Sequence, residues 1–493
     1  MTDRPRLSDA TLPLLPPGIG RVAYERGAAR AGIVHLGLGA FHRGHQAVFA
    51  DDALARGEMG WGVVAASLRS PETRDALAPQ GGLYTFALRD GAKVEARVIG
   101  SLLRILVAPE DPEALVAALA DPDVKIVTLT VTEKGYGIDR ATGGLDRAEA
   151  GIAADLRPGA IPSTVLGFLA AGLDRRRLAG APPLTLISCD NLPKNGEMLH
   201  RVLREFAAEK DEALGHYVER EIACPSSMVD RIVPATTDAD REVIGALTGL
   251  DDAWPVLAEP AFDWIIEDRF VGDRPPFEAS GVRFVSDVEP YEHMKLRLLN
   301  GAHTAIAAIG RLAGLETVPE TVRHPAVQAF LARFWAEAEP TLSIDPTMAR
   351  AYREALLPRF SNPALPHRTA QIATDASLKV PQRLVAPLRE RLARGESVEA
   401  LTCAIAAWVR SCGGVNDAGT SYPVSDPALM AWAGRPKQPL APAEEASAFL
   451  GFEAVFGRDL MQNDSFAAAL REAVSDIAEM GVLATLERRF GCV

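Results

Sequence analysis

A nine-residue stretch, Lys295-Leu-Arg-Leu-Leu-Asn300-Gly-Ala-His303, combines three side chains that can take part in proton chemistry. A lysine amine can give or accept a proton when burial lowers its pKa toward neutrality. The asparagine amide donates a hydrogen bond without carrying charge, and the imidazole can hold a neighbouring hydroxyl. This set suits a ketone oxygen that gains negative charge as its carbon accepts hydride, or an alcohol that loses a proton in the reverse direction.

The spacing predicts that one helix presents these side chains together. On a regular α-helix, Lys295, Asn300 and His303 fall within an arc of roughly 140°. Glu292 falls within the same arc. A solvated helix face is the alternative interpretation, because Lys and Glu are common on such faces. Three neighbouring leucines indicate a largely buried helix and favour the catalytic interpretation.

A predicted strand followed by a glycine-rich turn, Ile33-Val-His-Leu-Gly-Leu-Gly-Ala-Phe-His-Arg-Gly44, indicates a dinucleotide site. Glycines permit a tight turn and let the backbone approach a pyrophosphate at a helix N-terminus. The third glycine of the usual GxGxxG spacing falls at His42, so the fingerprint is incomplete. A strand-to-helix turn without a ligand is the alternative. The candidate cofactor-binding residues here are Gly37, Leu38, Gly39, Ala40, Phe41, His42 and Arg43.

The end of the second predicted strand, Ser67-Leu-Arg69-Ser70, bears on the choice between NAD and NADP. An acidic residue at this point would bind the ribose hydroxyls of NAD, whereas Arg69 could meet the 2′-phosphate of NADP. Arg69 could equally be a solvated turn residue. Arg69 is therefore a candidate cofactor-binding residue whose preference stays open.

Length and charge narrow the class of protein. The 493 residues suffice for two or three domains. A net charge of −13 argues against a nucleic-acid binder, although a local basic pocket can still take an anionic substrate. We find neither an apolar signal region at the N-terminus nor an apolar run long enough to span a bilayer. We therefore expect a soluble cytoplasmic protein without nucleic-acid or membrane partners.

The cysteines indicate a reducing compartment. Their number is odd, they lie far apart, and no CxxC pair occurs, which is unlike a disulfide framework or a structural zinc site. We expect no metal. The cysteines are Cys189, Cys224, Cys403, Cys412 and Cys492.

The pattern along the chain predicts two domains, residues 1–285 and 286–493. Short apolar runs at 33–38, 61–68, 124–132 and 184–188 read as strands, and 46–56 reads as a helix. Strands that alternate with helices favour a parallel, doubly wound sheet. After about residue 285 the chain has helical periodicity, for example at 306–312, 325–338, 398–410 and 466–477. The fold class we expect is an α/β N-terminal domain followed by a mainly α-helical domain.

Five motifs in order carry a resemblance to a known family. They are Gly37-Leu-Gly-Ala-Phe-His-Arg-Gly-His-Gln-Ala47, Thr132-Glu-Lys-Gly-Tyr136, Ser188-Cys-Asp-Asn191, Met228-Val-Asp-Arg-Ile-Val-Pro234 and the stretch that ends at His303. With these motifs the chain resembles the mannitol dehydrogenase family of long-chain polyol dehydrogenases, over residues from about 20 to about 480. The resemblance implies a Rossmann-type N-terminal domain, a helical C-terminal domain, a cleft between them and metal-independent chemistry.

The resemblance also implies roles for single residues. Lys295 holds the position of the general acid/base, and Asn191 and Asn300 match the asparagines that polarise the reacting oxygen. His303 matches a histidine that orients substrate, and Asp230 matches a substrate-pocket residue. Judged from its neighbours alone, Asn191 could equally be a turn former. Family members commonly use NAD and some use NADP, so we expect NAD without excluding NADP.

The substrate depends on whether a carboxylate must be bound, because mannitol oxidation and fructuronate reduction are otherwise the same chemistry. The segment 359–384, Arg-Phe-Ser-Asn-Pro-Ala-Leu-Pro-His-Arg-Thr-Ala-Gln-Ile-Ala-Thr-Asp-Ala-Ser-Leu-Lys-Val-Pro-Gln-Arg-Leu, looks more like fructuronate reductases than mannitol dehydrogenases. Within it, Arg368 and Lys379 could meet a carboxylate. Both could instead bind hydroxyls or cap helices.

The expected activity is therefore hydride transfer between a nicotinamide cofactor and a keto-uronate, converting D-fructuronate to D-mannonate. A polyol dehydrogenase acting on mannitol is the alternative, and a sugar- or dinucleotide-sensing protein without activity is a more remote one. The partner we expect is a small sugar acid or polyol, and the oligomeric state stays open.

Overall fold

The computed structural model describes residues 4–91, 93–139, 142–364 and 367–491. The chain divides into two compact units, Met1–Glu289 and Pro290–Val493, which we call the first and the second unit. The division falls after Glu289, whereas the sequence analysis placed the boundary after residue 285.

The first unit contains a central sheet of five parallel strands in the order β5-β2-β1-β6-β7. Two smaller sheets have the orders β11-β10-β8 and β4-β3-β9. The parallel sheet predicted from the alternating pattern is confirmed: β2, β6 and β7 lie inside their predicted runs, and β1 overlaps its run but begins two residues earlier. The strands are β1 (Ala31–Leu36), β2 (Gly62–Ser67), β3 (Tyr84–Asp90), β4 (Lys93–Ile99), β5 (Leu102–Val107), β6 (Ile126–Leu129), β7 (Thr185–Ser188), β8 (Ser227–Asp230), β9 (Val256–Ala258), β10 (Asp263–Glu267) and β11 (Arg283–Val285).

The central strands are mainly apolar because both faces of the sheet are covered. Successive residues of β1 enter different cores: Ile33 packs on one side, and Val34 on the other. Helices α4, α6 and α7 cover the Val34 side, and α2 covers the Ile33 side. The helices are α1 (Ala40–Gly44), α2 (Gln46–Ala55), α3 (Glu72–Leu77), α4 (Pro112–Ala120), α5 (Ala150–Asp155), α6 (Val165–Ala179), α7 (Asn195–Lys210), α8 (Glu212–Glu221) and α9 (Asp238–Thr248).

The second unit is helical, as predicted, and its core is built mainly from α11, α13, α18 and α22. Among the described residues, no helix has both the length and the apolar composition needed to cross a membrane. The helices are α10 (Glu289–Met294), α11 (Gly301–Ala313), α12 (Val318–Val322), α13 (Pro325–Ala338), α14 (Pro346–Ser361), α15 (Thr369–Ile372), α16 (Ala376–Val380), α17 (Ala386–Ala393), α18 (Glu399–Ser411), α19 (Pro427–Ala431), α20 (Pro442–Leu450), α21 (Glu453–Met461), α22 (Asp464–Met480) and α23 (Val482–Phe490).

Two segments of the second unit are π-helical rather than α-helical. The first π segment, Lys295–Asn300, joins α10 to α11, and the second π segment, Pro381–Val385, joins α16 to α17. A π turn is rare and occurs frequently at functional sites. The first π segment covers most of the stretch that the sequence singled out for proton chemistry.

Candidate functional site

The first π segment changes the predicted arrangement of Lys295 and Asn300. The sequence argument assumed a regular α-helix, in which these residues lie at opposite limits of an arc of roughly 140°. In a π turn the backbone hydrogen bonds join residues five apart. Lys295 and Asn300 are five apart, so the π turn brings them closer to one face than the regular helix would.

Side chains outside the first π segment hold it in place. The Trp335 indole Nε1 donates to the Leu298 carbonyl oxygen at 2.9 Å. The Arg297 guanidinium donates to both carboxylate oxygens of Glu390, at 2.9 and 2.7 Å, and to the Thr341 carbonyl at 2.6 Å. Arg297 therefore has a structural partner and is turned into the unit. These contacts fix the backbone from which Lys295 projects.

Lys295 and His303 are both buried, with 8% and 7% of their surface exposed. This burial supports the catalytic interpretation over the solvated helix face. The His303 ring packs on the Phe360 ring, with centroids 4.5 Å apart, and meets the His367 ring edge to face at 5.7 Å. Burial and the nearby Lys379 amine lower the pKa of His367 below its usual value.

Arg368 is not brought to this group, although it is the neighbour of His367. Its Nη2 pairs with a Glu316 carboxylate oxygen at 2.7 Å, and both side chains are largely exposed. The cause is a short antiparallel bridge in which Arg368 pairs with Thr317. Side chains alternate across extended backbone, so His367 and Arg368 point to opposite sides. Lys379 donates to the backbone carbonyls of Ile372 and Thr374, at 3.3 and 2.5 Å.

The glycine turn of the first unit follows β1 next to β6, where the strand order reverses. Open α/β sheets bind ligands at this point, beyond the carboxyl ends of the strands. Gly37 has a φ of +97°, and a Cβ there would overlap the Thr130 carbonyl oxygen, so the turn itself requires glycine. Gly39 differs, because a Cβ there would come only within 3.8 Å of the Gly37 carbonyl oxygen. The backbone at Gly39 is open to a ligand, which fits a dinucleotide pyrophosphate.

The other predicted residues of the turn divide into two groups. Ala40 and Phe41 are partly exposed, whereas the side chains of Leu38, His42 and Arg43 are buried. Those three side chains are therefore structural, and only the backbone at these positions could face a cofactor.

The two buried polar side chains of the turn have interior neighbours. Arg43 donates to the Trp254 carbonyl, and its guanidinium lies 5.5 Å from the Tyr84 ring centroid. The His42 ring stacks on the His35 ring at 3.4 Å, and burial lowers the pKa of His35 to about 3. Burial likewise holds the pKa of His42 well below its usual value, so both rings are neutral near pH 7.

Arg69 lies two residues beyond the end of β2 and is exposed. β2 pairs with β1, whose end carries the glycine turn. Helix α3, which follows the loop after β2, also contacts that turn, because the Thr73 hydroxyl donates to the Leu38 carbonyl at 3.5 Å. Arg69 therefore follows the strand next to the glycine turn, as a residue that reads the 2′-position of a dinucleotide would.

Asn191 is exposed just after β7, and the residue before it anchors the neighbouring loop. The Asp190 carboxylate accepts from the amides of Val131 and Thr132, at 2.8 and 3.1 Å, and from the Tyr136 hydroxyl at 2.7 Å. Burial raises the pKa of Asp190 against these hydrogen bonds. Thr132 has a φ of +66°, a backbone conformation that is costly for a β-branched residue and that tends to occur at functional sites.

Asp230 ends β8 and is buried. The Ser227 hydroxyl donates to the Ser188 carbonyl at 2.6 Å, and a parallel bridge joins Thr185 to Ala223. The chain therefore runs in the same direction along β7 and β8. Asn191 follows Ser188 by three residues, and Asp230 follows Ser227 by three. Both therefore lie at the carboxyl ends of their strands, and the glycine turn lies at the carboxyl end of β1 in the sheet that contains β7.

Several side chains around these residues were missed from the sequence. His367 and Trp335 carried no local signal, since their contacts come from segments distant in sequence. The Asn195 amide donates to the carbonyls of Ser188, Asp190 and Ser227, and ties the ends of β7 and β8 together. An asparagine at a helix start after a predicted strand could have indicated such an anchor.

The cysteines of the described residues are buried, and we find no metal-binding group among those residues. Four cysteines lie in the described residues, and each is buried and free; Cys492 lies outside them. Across the described ranges, no group of three or more His, Cys, Asp or Glu side chains is placed to hold a metal ion.

Comparison with known proteins identifies the family. Residues 31–279 match the model of the mannitol dehydrogenase Rossmann domain, and residues 287–478 match that of the mannitol dehydrogenase C-terminal domain. A mannitol 2-dehydrogenase of Pyrenophora tritici-repentis is 38% identical over 94% of this chain and 83% of the relative. A D-mannonate oxidoreductase of Escherichia coli is also 38% identical, over 96% of this chain and 97% of the relative.

Among solved structures, the Pseudomonas fluorescens mannitol 2-dehydrogenase in ternary complex with NAD and D-mannitol is 36% identical, with a TM-score of 0.85 over 98% of this chain and 99% of that one. A D-sorbitol dehydrogenase in substrate-free form is 29% identical, with a TM-score of 0.89 over 98% of this chain and 100% of that one. These matches span both units and agree with the ordered motifs. The chain belongs to the mannitol dehydrogenase family of oxidoreductases.

Proposed function

We propose that this oxidoreductase uses NAD and interconverts D-fructuronate and D-mannonate. The observation that carries the proposal is the surrounding of His303: its ring contacts the His367 ring, and the segment that contains His367 also carries the Lys379 amine, which acts on the pKa of His367. Such a surrounding suits a substrate that carries a carboxylate next to its hydroxyls. The D-mannonate oxidoreductase among the relatives supports this choice.

The cofactor assignment rests on the glycine turn and on the complex of a relative with NAD. The open backbone at Gly39, with Gly37, Ala40 and Phe41 beside it, is the candidate pyrophosphate site. When bound, the reduced nicotinamide supplies a hydride to the carbonyl carbon of the substrate. Arg69 is the residue that sets the preference between NAD and NADP.

The proton chemistry belongs to Lys295. In the reducing direction the Lys295 ammonium donates a proton to the ketone oxygen, and in the oxidising direction the neutral amine accepts the hydroxyl proton. The amides of Asn191 and Asn300 donate hydrogen bonds to the reacting oxygen and stabilise its developing negative charge. His303 orients a neighbouring hydroxyl, and Asp230 contributes to the substrate pocket.

The carboxylate is assigned to the side of the second unit that carries His303. Lys379, one of the two cations proposed from the sequence, is near His367. Arg368, the other, has its charge paired with Glu316 and could serve only if that pair opened. Lys379 is therefore the stronger of the two candidates.

The test is NADH oxidation with fructuronate, tagaturonate and fructose measured side by side. We expect the highest kcat/KM with fructuronate. A kcat/KM that is highest with fructose would refute the uronate assignment and leave the oxidoreductase chemistry in place.

A polyol dehydrogenase is the second candidate. It is favoured by the mannitol 2-dehydrogenase relative at the same 38% identity and by the complex of another relative with D-mannitol. Overall identity therefore does not separate the two substrates. In the oxidising direction, the kcat/KM for mannonate is compared with that for mannitol, both with NAD⁺ as the cofactor. This comparison distinguishes the same two candidates.

A further inference from the structure

We propose that Arg383 is the specificity-determining residue that binds the carboxylate of the substrate. The inference rests on the proposed function, which requires a carboxylate, and it names the group that holds it. Arg383 lies in the second π segment, inside the stretch that resembles fructuronate reductases, and none of the roles derived so far uses it.

The position of the Arg383 side chain next to the reaction group comes from Thr304. The Arg383 Nη1 donates to the Thr304 hydroxyl at 3.1 Å. Thr304 follows His303 directly, and its hydroxyl donates to the Asn300 carbonyl at 2.9 Å. Residues four apart on a helix lie on one face, so Asn300 and Thr304 lie on the same helix face. The guanidinium therefore reaches the helix face that carries Asn300, beside His303.

The backbone of Arg383 makes a second, independent contact with the same region. A Cβ built on Gly301 would lie 3.0 Å from the Arg383 carbonyl oxygen and 3.1 Å from the Phe334 ring. The second π segment therefore packs directly against the residue that follows Asn300. This close approach explains why the motif has glycine at position 301. It also places the Arg383 backbone, from which the side chain projects, beside the residue that follows Asn300.

The chemistry of these contacts favours Arg383 over Arg368. The bond between Arg383 and the Thr304 hydroxyl holds the guanidinium at the helix that carries Asn300 and His303. Arg368 is paired with the Glu316 carboxylate, and the two side chains are 67% and 72% exposed. A guanidinium offers donors in a planar fork that matches both oxygens of a carboxylate. Lys379 adds a positive charge that acts on His367, and the His367 ring contacts His303.

The experiment compares Arg383→Leu, Arg368→Leu and the wild-type enzyme, with Arg394→Leu as a matched control. Arg394 is an exposed arginine at the end of α17 whose Nη1 donates to a backbone carbonyl. We expect Arg383→Leu to raise the KM for fructuronate about 100-fold, because a charge-assisted bond that is equally strong in ground and transition states is lost. The ratio of kcat/KM for fructuronate to that for fructose should fall to a similar extent.

Arg383→Lys keeps the charge without the fork, and it should raise the KM by about tenfold. This variant also keeps the test decisive if Arg383→Leu does not fold. A merely structural role for Arg383 would lower kcat with both substrates and leave their ratio unchanged, which would overturn the proposal. An Arg368→Leu variant with the larger effect on the KM for fructuronate would overturn it as well.

The outcomes also separate this inference from the proposed function. If the wild-type enzyme reduces fructuronate and Arg383→Leu keeps its KM, only the role of Arg383 fails. If the wild-type enzyme reduces fructose but no uronate, the proposed function fails and takes the carboxylate role of Arg383 with it.

Discussion

The His303 imidazole meets the His367 imidazole edge to face, with ring centroids 5.7 Å apart. His303 lies on α11 and His367 precedes α15, so the contact joins the helix of the proton-transfer group to the segment that resembles fructuronate reductases. The Lys379 amine acts on the pKa of His367. His303 is followed by Thr304, whose hydroxyl accepts a hydrogen bond from Arg383. The side chains proposed for proton transfer and those proposed for substrate choice are therefore neighbours in the second unit.

This arrangement predicts that substrate binding takes up a proton at His367. Burial and the Lys379 amine hold the pKa of His367 below its usual value, so the free ring is neutral near pH 7. A bound carboxylate would favour the charged ring and raise that pKa. Mannonate should therefore bind about tenfold more tightly at pH 6 than at pH 8. Calorimetric titration in the Lys295→Ala background measures this without interference from the lysine.

His367→Asn is the matched variant for that titration, because it keeps a neutral polar group and removes the titrating ring. We expect its affinity for mannonate to be independent of pH over the same range. An unchanged pH dependence in His367→Asn would assign the proton to another group.

The role of Lys295 is tested by Lys295→Ala. Loss of the general acid/base should lower kcat by about 10²- to 10⁴-fold in both directions. The affinity for NADH, measured by fluorescence titration, should stay unchanged, because the glycine turn that we assign to the cofactor lies in the first unit. Lys437→Ala, which removes an exposed lysine of the second unit, is the control. Turnover of Lys295→Ala close to that of the control would exclude the lysine as acid/base.

Arg69→Asp tests the preference for the cofactor. Aspartate at the end of β2 would accept hydrogen bonds from the ribose hydroxyls and repel a 2′-phosphate. We expect the ratio of kcat/KM for NADPH to that for NADH to fall by about tenfold or more, as one charge-assisted contact is replaced by a repulsive one. If the ratio does not change, Arg69 is a solvated turn residue.

The sequence predicted the architecture better than the detail of the site. Helix α13 runs over Pro325–Ala338, the range predicted, because proline marks the first turn and the apolar period is regular. Four of the five parallel strands were predicted from buried apolar runs, and β5 was not. In contrast, β8 to β11 are short and belong to two small sheets that the sequence did not predict. Their pairing depends on partners distant in the chain.

Two features of the site could not be read from the chain. A π turn and an α turn share nearly the same apolar pattern, and the contact that stabilises the first π segment comes from Trp335 on another helix. The direction of Arg368 depends on its bridge with Thr317, which turns the neighbouring His367 toward His303. Residue type alone predicted that Arg368 meets the substrate. The backbone geometry instead turns His367 toward His303 and Arg368 toward Glu316.

Trp335→Phe tests whether the π turn matters for catalysis. The substitution keeps an aromatic ring but removes the Nε1 donor that satisfies the Leu298 carbonyl oxygen. A buried carbonyl that loses its partner destabilises the protein by about 1–3 kcal/mol. Because this carbonyl belongs to the first π segment, kcat should also fall as Lys295 loses its fixed position. Thermal unfolding and steady-state kinetics measure the two effects.

Trp408→Phe is the matched control, since Trp408 is also buried in the second unit but its Nε1 has no hydrogen-bond partner among the described residues. This substitution leaves no acceptor unsatisfied, so it should change kcat little and reduce stability only through the smaller ring. Equal loss of kcat in the two variants would show that ring packing, not the bond to Leu298, accounts for the effect. A loss confined to Trp335→Phe would tie the proton chemistry of Lys295 to the π turn.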